Sequence, residues 1–300
     1  MKDLEHGNWK GNTGGTPWMH RTLIRWLKHA PLQLPYFCMA WMVPFYMLFH
    51  HKGYLAIYHY FRQRHDYGRL KAFGHVYLNH FRFGQVIIDR FAMFAGKRFQ
   101  LEVTGQELFD KLDREEKGFL IISSHVGNYE LAGYTLVPKN KTFNALVFAG
   151  ESEQMMKGRS KMFAGKRINM IPMMEDLSHI FKINSALADG NIVSIPGDRI
   201  FGSPRHVAVD FMGGKANFPL GPFAIAAQRD IKVLAVFVMK TGIHAYHANV
   251  VRLEVPKGTK RTEVPHSLAA SFAKELETTM RTYPEQWFNF FEFWNEPRGQ

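Results

Sequence analysis

Cysteine is nearly absent from this chain of 300 residues, in which Cys38 is the single thiol. One cysteine excludes an internal disulfide framework and any metal site built from several cysteines. The chain also lacks internal repeats, low-complexity linkers and the Gly-x-Ser-x-Gly sequence in which many hydrolases carry a nucleophilic serine. We therefore expect neither a repeat architecture nor catalysis by a serine nucleophile of that kind.

Acidic residues are few relative to basic ones, with 26 Asp and Glu against 38 Lys and Arg and a net charge of +12. Such a chain attracts anionic partners: a lipid surface, an acidic carrier protein, a phosphorylated substrate or nucleic acid. No recognisable nucleic-acid-binding motif accompanies the charge, so we expect no nucleic-acid partner. A hydrophobic content of 46% excludes a disordered chain, and the length suits one α/β domain with an N-terminal appendage.

Long uninterrupted apolar runs are also lacking. Met1–Gly15 is polar, so we expect no cleavable signal peptide. Ala30–Phe49 contains no charged residue, but Pro31, Pro35 and Pro44 interrupt it. Because a helix needs about twenty apolar residues to cross a bilayer, we predict a kinked interfacial or re-entrant helix here, with a true span as the alternative.

The segment before Ala30 has the pattern of a basic amphipathic helix, since Arg21, Arg25 and Lys28 share one helical face. The opposite face carries Met19, Leu23, Trp26, Leu27 and Ala30. This helix either packs on the core with solvated charges or meets anionic headgroups. The adjoining apolar segment favours the second interpretation, so we expect residues 1–54 to associate with a membrane. The candidate interfacial anchors are Trp9, Trp18 and Trp26.

Residues 55–300 are predicted to form the α/β domain. Its first part, to Arg98, has helical patterns, with an amphipathic helix through Tyr77–Phe94. Strands and helices then alternate from about Phe99, which predicts a mixed sheet flanked by helices. The strand candidates are Phe119–Ser123, Ala145–Phe148, Ile192–Ile195, Val207–Phe211, Val233–Val238 and His244–Leu253.

The chemistry is expected directly after the first of these strands, where His125 and Glu130 stand five positions apart. We predict a helix that begins near His125, because the apolar run stops at the two serines before it. A histidine at a helix N-terminus is held neutral, as a general base must be. Glu130 would then fix its tautomer and stabilise the imidazolium. The alternative is a purely structural histidine, since this spacing is common by chance.

The sequence resembles the glycerolipid acyltransferase superfamily, in which a strand is followed by His-x4-Asp/Glu, and within it the late acyltransferases of lipid A biosynthesis. The resemblance runs from about Trp9 to Trp287. The further motifs that carry it are Ile195–Arg199, Val207–Gly214 and Phe218–Ala224. The chain departs from the family pattern in the inverted order Gly197-Asp198 and in Tyr129, where tryptophan is common.

The resemblance implies a fatty acyl transfer in which His125 deprotonates a hydroxyl or amine that attacks a thioester. It implies no cofactor and no metal, with an acyl group supplied on acyl carrier protein or coenzyme A. The expected substrate-binding residues are Asn128, Arg167, Asp198 and Arg199. The developing oxyanion needs donors, for which the candidates are the backbone N–H groups of Val126-Gly127 and the Arg167 side chain.

The resemblance also implies acyl carrier protein, a lipid acceptor such as a lipid A precursor and an anionic membrane surface as partners. The implied location is the cytoplasmic face of a bacterial inner membrane, with peripheral or single-anchor attachment. Two alternatives remain: a non-enzymatic lipid-binding protein and an acyl hydrolase that uses the same pair. The candidate docking surface for a carrier protein is Lys157, Arg159, Lys161, Lys166 and Arg167. We expect the aromatic run Trp287–Trp294 to pack in the core, with membrane contact as the alternative.

Overall fold

The computed structural model describes residues 16–49, 51–131, 136–148, 165, 167–174, 178–200 and 204–294, except the side chains of Pro17, His51 and Lys52. The helices are α1 Pro17–His29, α2 Gln33–Phe49, α3 His51–His59, α4 Arg69–Phe94, α5 Gln106–Arg114, α6 Ser178–Ala188, α7 Leu220–Arg229 and α8 Val264–Thr282. The strands are β1 Gln100–Thr104, β2 Phe119–Ser123, β3 Phe143–Phe148, β4 Ile168–Met173, β5 Ile192–Pro196, β6 His206–Phe211, β7 Gly214–Pro219, β8 Val233–Lys240 and β9 Ala245–Arg252. A π-helical turn, Tyr60–Arg64, follows α3.

Seven strands form one mixed sheet, which confirms the predicted mixed sheet, and their order is β1-β9-β8-β2-β5-β3-β4. All neighbours run parallel except β8 and β9, which are antiparallel. The central strand β2 is apolar and its first four residues are buried, because a parallel sheet is covered on both faces. Strands β6 and β7 form a separate antiparallel hairpin that packs against α8.

All six strand candidates are strands, each within about two residues of its expected bounds. The patterns did not predict β1, β4 or β7. The predicted amphipathic helix belongs to α4, which is longer and begins at Arg69.

The N-terminal helices share a core with α4. Leu27 of α1 and Tyr36 of α2 are buried with Phe91 of α4, and Val43 and Met47 join the main core. The basic face of α1 is exposed, as predicted. Several large apolar side chains of both helices point to solvent: Trp18, Met19, Trp26, Phe37, Trp41, Met42, Phe45, Leu48 and Phe49. Among the described residues, no helix has the length and apolar character needed to cross a bilayer.

The C-terminal aromatic run packs inside the molecule, which confirms the first interpretation of it. Trp287 is 1% exposed and lies against Phe211, Phe293 and Trp294. These rings meet edge to face or stacked, the arrangements that aromatic pairs prefer. The run therefore joins the β6–β7 hairpin to the region beyond the end of β2.

Candidate active site

The chain makes a tight turn directly after β2. Val126 pairs with Trp287 and Gly127 with Val238 in isolated bridges, and a short 3-10 helix follows at Tyr129–Leu131. Gly127 has φ +57°, and a Cβ added there would lie 2.0 Å from the Val238 carbonyl oxygen. The predicted helix starting near His125 is therefore wrong, because backbone groups of this turn bond to neighbouring segments.

His125 meets Asp198 at this turn. The Nδ1 atom of His125 lies 2.8 Å from Asp198 Oδ1, and the His125 backbone N–H donates to Oδ2 at 2.7 Å. Asp198 follows β5, which is parallel to β2 and beside it in the sheet. Neighbouring parallel strands end at the same edge, so two residues 73 positions apart come together there.

Gly197 allows the two loops to approach each other. Its N–H donates to the Ser123 carbonyl at 2.8 Å. An added Cβ would lie 2.3 Å from Ile122 Cγ2, so a larger residue would push the Asp198 loop away from β2. The inverted order Gly197-Asp198 thus has a steric reason in this fold.

The charges around the pair favour a neutral imidazole beside a carboxylate. Burial and the nearby Arg199 guanidinium lower the pKa of His125, against the opposing effect of Asp198. Burial on its own would raise the pKa of Asp198, but His125, its two hydrogen bonds and Arg199 hold it below the ordinary value. An ionised Asp198 only accepts, so Nδ1 carries the proton and Nε2 presents the lone pair.

Glu130 has a different role from the one predicted for it. The structure gives the His125 Nδ1 bond to Asp198, whereas Glu130 Oε1 lies 3.0 Å from Arg90 Nη2 of α4. Both side chains of this ion pair are buried. The prediction that Glu130 orients His125 is therefore corrected: Asp198 orients the imidazole, and Glu130 attaches the turn to α4.

Asn128 is buried and connects the turn to a polar network. Its backbone N–H donates to Val238 O at 2.7 Å, and its Nδ2 lies 3.5 Å from the Tyr246 hydroxyl. Tyr246 donates to Asp89, which also accepts from Tyr36 and, at 2.6 Å, from Lys240. Burial raises the pKa of Asp89 and lowers that of Lys240. Three donors converge on Asp89, so the ionised pair is the arrangement that satisfies all of them.

The other two predicted substrate-binding residues lie at different distances from His125. Arg199 is near it and donates from Nη2 to Phe288 O at 3.0 Å. Arg167 comes just before β4, whose first residue is level with the start of β2. At about 3.3 Å per residue, Arg167 lies roughly 20 Å along the strand direction from the end of the sheet at which His125 lies. The structure therefore does not bring Arg167 to His125, and its guanidinium instead donates to Asn140 O at 3.2 Å.

One predicted oxyanion donor is already occupied, because the Gly127 N–H donates to Gln286 O at 2.8 Å. Trp9 and the basic residues Lys157, Arg159, Lys161 and Lys166 lie outside the described residues.

Sequence reasoning missed several residues around the turn: Asn79, Asp89, Arg90, Lys240, Gln286 and the link from Trp287 to Asp198. A signal was present for two of them. Asp89 interrupts an apolar stretch of a helix, and Lys240 ends a strand that is otherwise apolar. A charged residue within an otherwise apolar sequence pattern indicates a paired or functional group, although the pattern does not show which residue is its partner.

The sequence pattern of the family described as bacterial lipid A biosynthesis acyltransferase matches residues 85–296. A similar solved structure is the 1-acyl-sn-glycerophosphate (LPA) acyltransferase PlsC from Thermotoga maritima, at 14% identity and a TM-score of 0.39. That alignment covers 88% of this chain and 98% of the other. No curated protein matches the sequence.

Proposed function

The chain belongs to the bacterial lipid A biosynthesis acyltransferase family, and from this membership we propose that it acylates a hydroxyl or amine of a lipid A precursor or similar lipid. It is an acyltransferase, which sets aside the non-enzymatic alternative. The observation that carries the mechanism is the 2.8 Å contact between His125 Nδ1 and Asp198 Oδ1. This contact leaves Nε2 to act as the base.

The reaction moves one proton through His125. Nε2 takes the proton from the acceptor hydroxyl or amine, and the acceptor atom attacks the thioester carbonyl. The tetrahedral intermediate then expels the thiolate, which takes the proton back from the imidazolium. Asp198 stabilises that imidazolium, and a base so placed contributes roughly 10²–10⁴-fold to the rate.

The oxyanion of the tetrahedral intermediate needs a donor that the fold has not already used. Gly127 N–H is occupied by Gln286, whereas within the described residues the Val126 N–H donates to no protein acceptor. We assign Val126 N–H as the backbone donor in place of Gly127 N–H. It stands next to the base in sequence, where the reacting carbonyl must lie.

The acyl donor in this proposal is acyl carrier protein. Carrier proteins of this kind are acidic, and a net charge of +12 would steer their encounter with this chain, most strongly at low salt. Reversing Lys157, Arg159 and Lys161 to Glu should reduce turnover with limiting acyl carrier protein far more than turnover with acyl-coenzyme A. Equal losses with both donors would mean that these residues serve the acceptor or the fold.

The surface that meets the membrane is proposed to be the outer side of α1 and α2. Phe37, Trp41, Phe45 and Leu48 form one exposed stripe along α2, each more than 60% exposed. The exposed Arg21, Arg25 and Lys28 of α1 suit anionic headgroups beside it. We propose peripheral attachment through this surface to the cytoplasmic face of a bacterial inner membrane, the location that the family resemblance implies.

The test is a purified-component assay with the acyl thioester, with and without a lipid A precursor, in which acylated lipid and free fatty acid are both measured. We expect acylated lipid in the wild-type sample, little fatty acid without acceptor, and neither product from His125→Ala. Fatty acid released equally with and without acceptor would support the hydrolase alternative instead. Wild-type rates from folded His125→Ala would overturn the base assignment.

A further inference from the structure

A segment near the C-terminus, Gln286–Phe288, is named the strap. It lies across the turn after β2, His125–Asn128, which is named the catalytic turn. Gln286 O accepts the Gly127 N–H at 2.8 Å, and the Phe288 N–H donates to His125 O at 2.9 Å. These two bonds form an antiparallel bridge directly at the base residue. The strap therefore fixes the backbone of the turn, which β8 also holds through Val238.

The strap is itself held firmly. The side chain of Gln286 bonds to both the N–H and the carbonyl of Lys240, each at 2.8 Å. Asn79 of α4 donates to Trp287 O at 2.8 Å. All of these side chains are buried, so the strap has little freedom to shift.

Trp287 also contacts Asp198, the acid that pairs with His125. Its indole Nε1 lies 3.5 Å from Asp198 Oδ2, the oxygen that also accepts the His125 backbone N–H. Resting on the proposed function, we propose that Trp287 is a positioning residue, whose indole N–H fixes the rotation of the Asp198 carboxylate so that Oδ1 faces His125 Nδ1.

The physical reason is that each donor to a carboxylate oxygen restricts rotation about the Cβ–Cγ bond and shares the negative charge. Without the indole N–H, Asp198 Oδ2 would keep the His125 N–H but lose its second donor. The Asp198 carboxylate would then be less firmly oriented toward His125 Nδ1 and more basic. Among the described residues, Arg199 and the Tyr129 ring also lie near His125.

The chain offers a matched control in Trp294, which belongs to the same aromatic cluster. Its ring centroid is 5.7 Å from that of Trp287, and its indole N–H donates to Phe211 O at 3.1 Å rather than to Asp198. Trp287→Phe and Trp294→Phe each remove one indole N–H donor, but only the first removes a donor to Asp198.

The experiment compares kcat, KM and the pH profile of acyl transfer in these two variants. We expect Trp287→Phe to lower kcat about tenfold with little change in KM, since a hydrogen bond to a charged group is lost. The acid limb of the pH profile, where activity falls as His125 becomes protonated, should move to higher pH. Trp294→Phe should keep the wild-type kcat and the wild-type position of the acid limb. Site-specific replacement of Trp287 by 3-benzothienylalanine, which keeps the ring shape without the N–H, applies the same test if the phenylalanine variant fails to fold.

Wild-type kcat and an unmoved acid limb in a folded Trp287 variant would overturn the inference, as would equal changes at Trp294. The two failures are distinguishable. If wild-type protein transfers no acyl group, the proposed function fails, whereas an active wild type with normal Trp287 variants refutes only the positioning role.

Discussion

At the scale of the residue, the candidate site depends on which carboxylate reaches His125. The sequence patterns indicated His125, Glu130, Asp198 and Arg199 as candidate site residues and paired the histidine with Glu130, whereas the structure pairs it with Asp198. Glu130 is close in sequence, yet the turn directs its side chain to Arg90. The partner Asp198 comes from the next strand of the sheet. Strand order in a sheet depends on long-range packing, which no local pattern contains, so this pairing could not be predicted.

Arg199 provides the first prediction, because its charge helps to keep His125 neutral. Only neutral imidazole accepts a proton, so kcat/KM falls as pH drops through the pKa of His125. That pKa lies below its usual value in the wild type, which extends activity toward acid. Arg199→Gln removes one cause of the lowering, so the acid limb should shift to higher pH, whereas Arg199→Lys should shift it less.

The measurement is kcat/KM between about pH 5 and pH 8 for both variants, a range chosen around the ordinary histidine pKa near 6.5. An unmoved limb in Arg199→Gln, or a shift toward acid, would contradict the prediction that Arg199 lowers the pKa of His125.

At the scale of the element, the buried strands were predictable and the edge strands were not. β2 and β8 are runs of apolar residues, many of them β-branched, and the sequence shows them directly. β1 and β4 are the two edges of the sheet, and β1 alternates with polar residues on a half-exposed face. β7 contains Gly, Lys and Asn, residues that strands use little. Its pairing with β6, rather than its own composition, makes it a strand.

The catalytic turn is the element that local reasoning described wrongly, and Gly127 tests its geometry. Gly127→Ala requires an alanine at φ +57° with its Cβ 2.0 Å from Val238 O. The left-handed conformation costs about 1–2 kcal/mol, and the clash must be relieved by moving the turn. We expect a lower Tm and a fall in kcat of at least about tenfold.

The control for this variant is Gly74→Ala in α4, where an added Cβ meets nothing within 4 Å. Helix propensity favours alanine over glycine by about 1 kcal/mol, so Gly74→Ala should keep or raise the Tm and leave kcat unchanged. A Gly127→Ala enzyme that behaves like the Gly74→Ala control would contradict the described turn.

At the scale of the whole molecule, the N-terminal helices have two sides with different uses. Leu27, Tyr36 and Val43 are buried against the rest of the protein, while the stripe on α2 is open to solvent. The division into residues 1–54 and 55–300 stays a prediction, but removing Met1–Phe49 would also strip the core of buried side chains. Point substitutions on the exposed stripe therefore test membrane association more cleanly than a deletion.

The membrane prediction uses Trp41 and Phe45, which are 68% and 63% exposed. The double variant Trp41→Glu/Phe45→Glu should reduce binding to vesicles that contain anionic lipid on the order of tenfold or more, because it removes apolar anchors and adds repulsion. Phe181→Glu on α6, at a position 79% exposed, is the matched control and should bind as the wild type does. Flotation of all three proteins with vesicles measures this, and unchanged binding of the double variant would place the contact elsewhere.

The central claim is that Asp198 holds His125 as the general base, and the most direct test is the kcat of Asp198→Asn compared with that of Glu130→Gln. An asparagine at 198 can donate to Nδ1 and so favours the wrong tautomer, which should cost on the order of 10³–10⁴-fold in kcat while the protein stays folded. Glu130→Gln breaks the ion pair with Arg90 and should lower the Tm, with a smaller loss of kcat per folded molecule. An Asp198→Asn enzyme within about tenfold of the wild type, or a larger kcat loss in Glu130→Gln, would contradict the account.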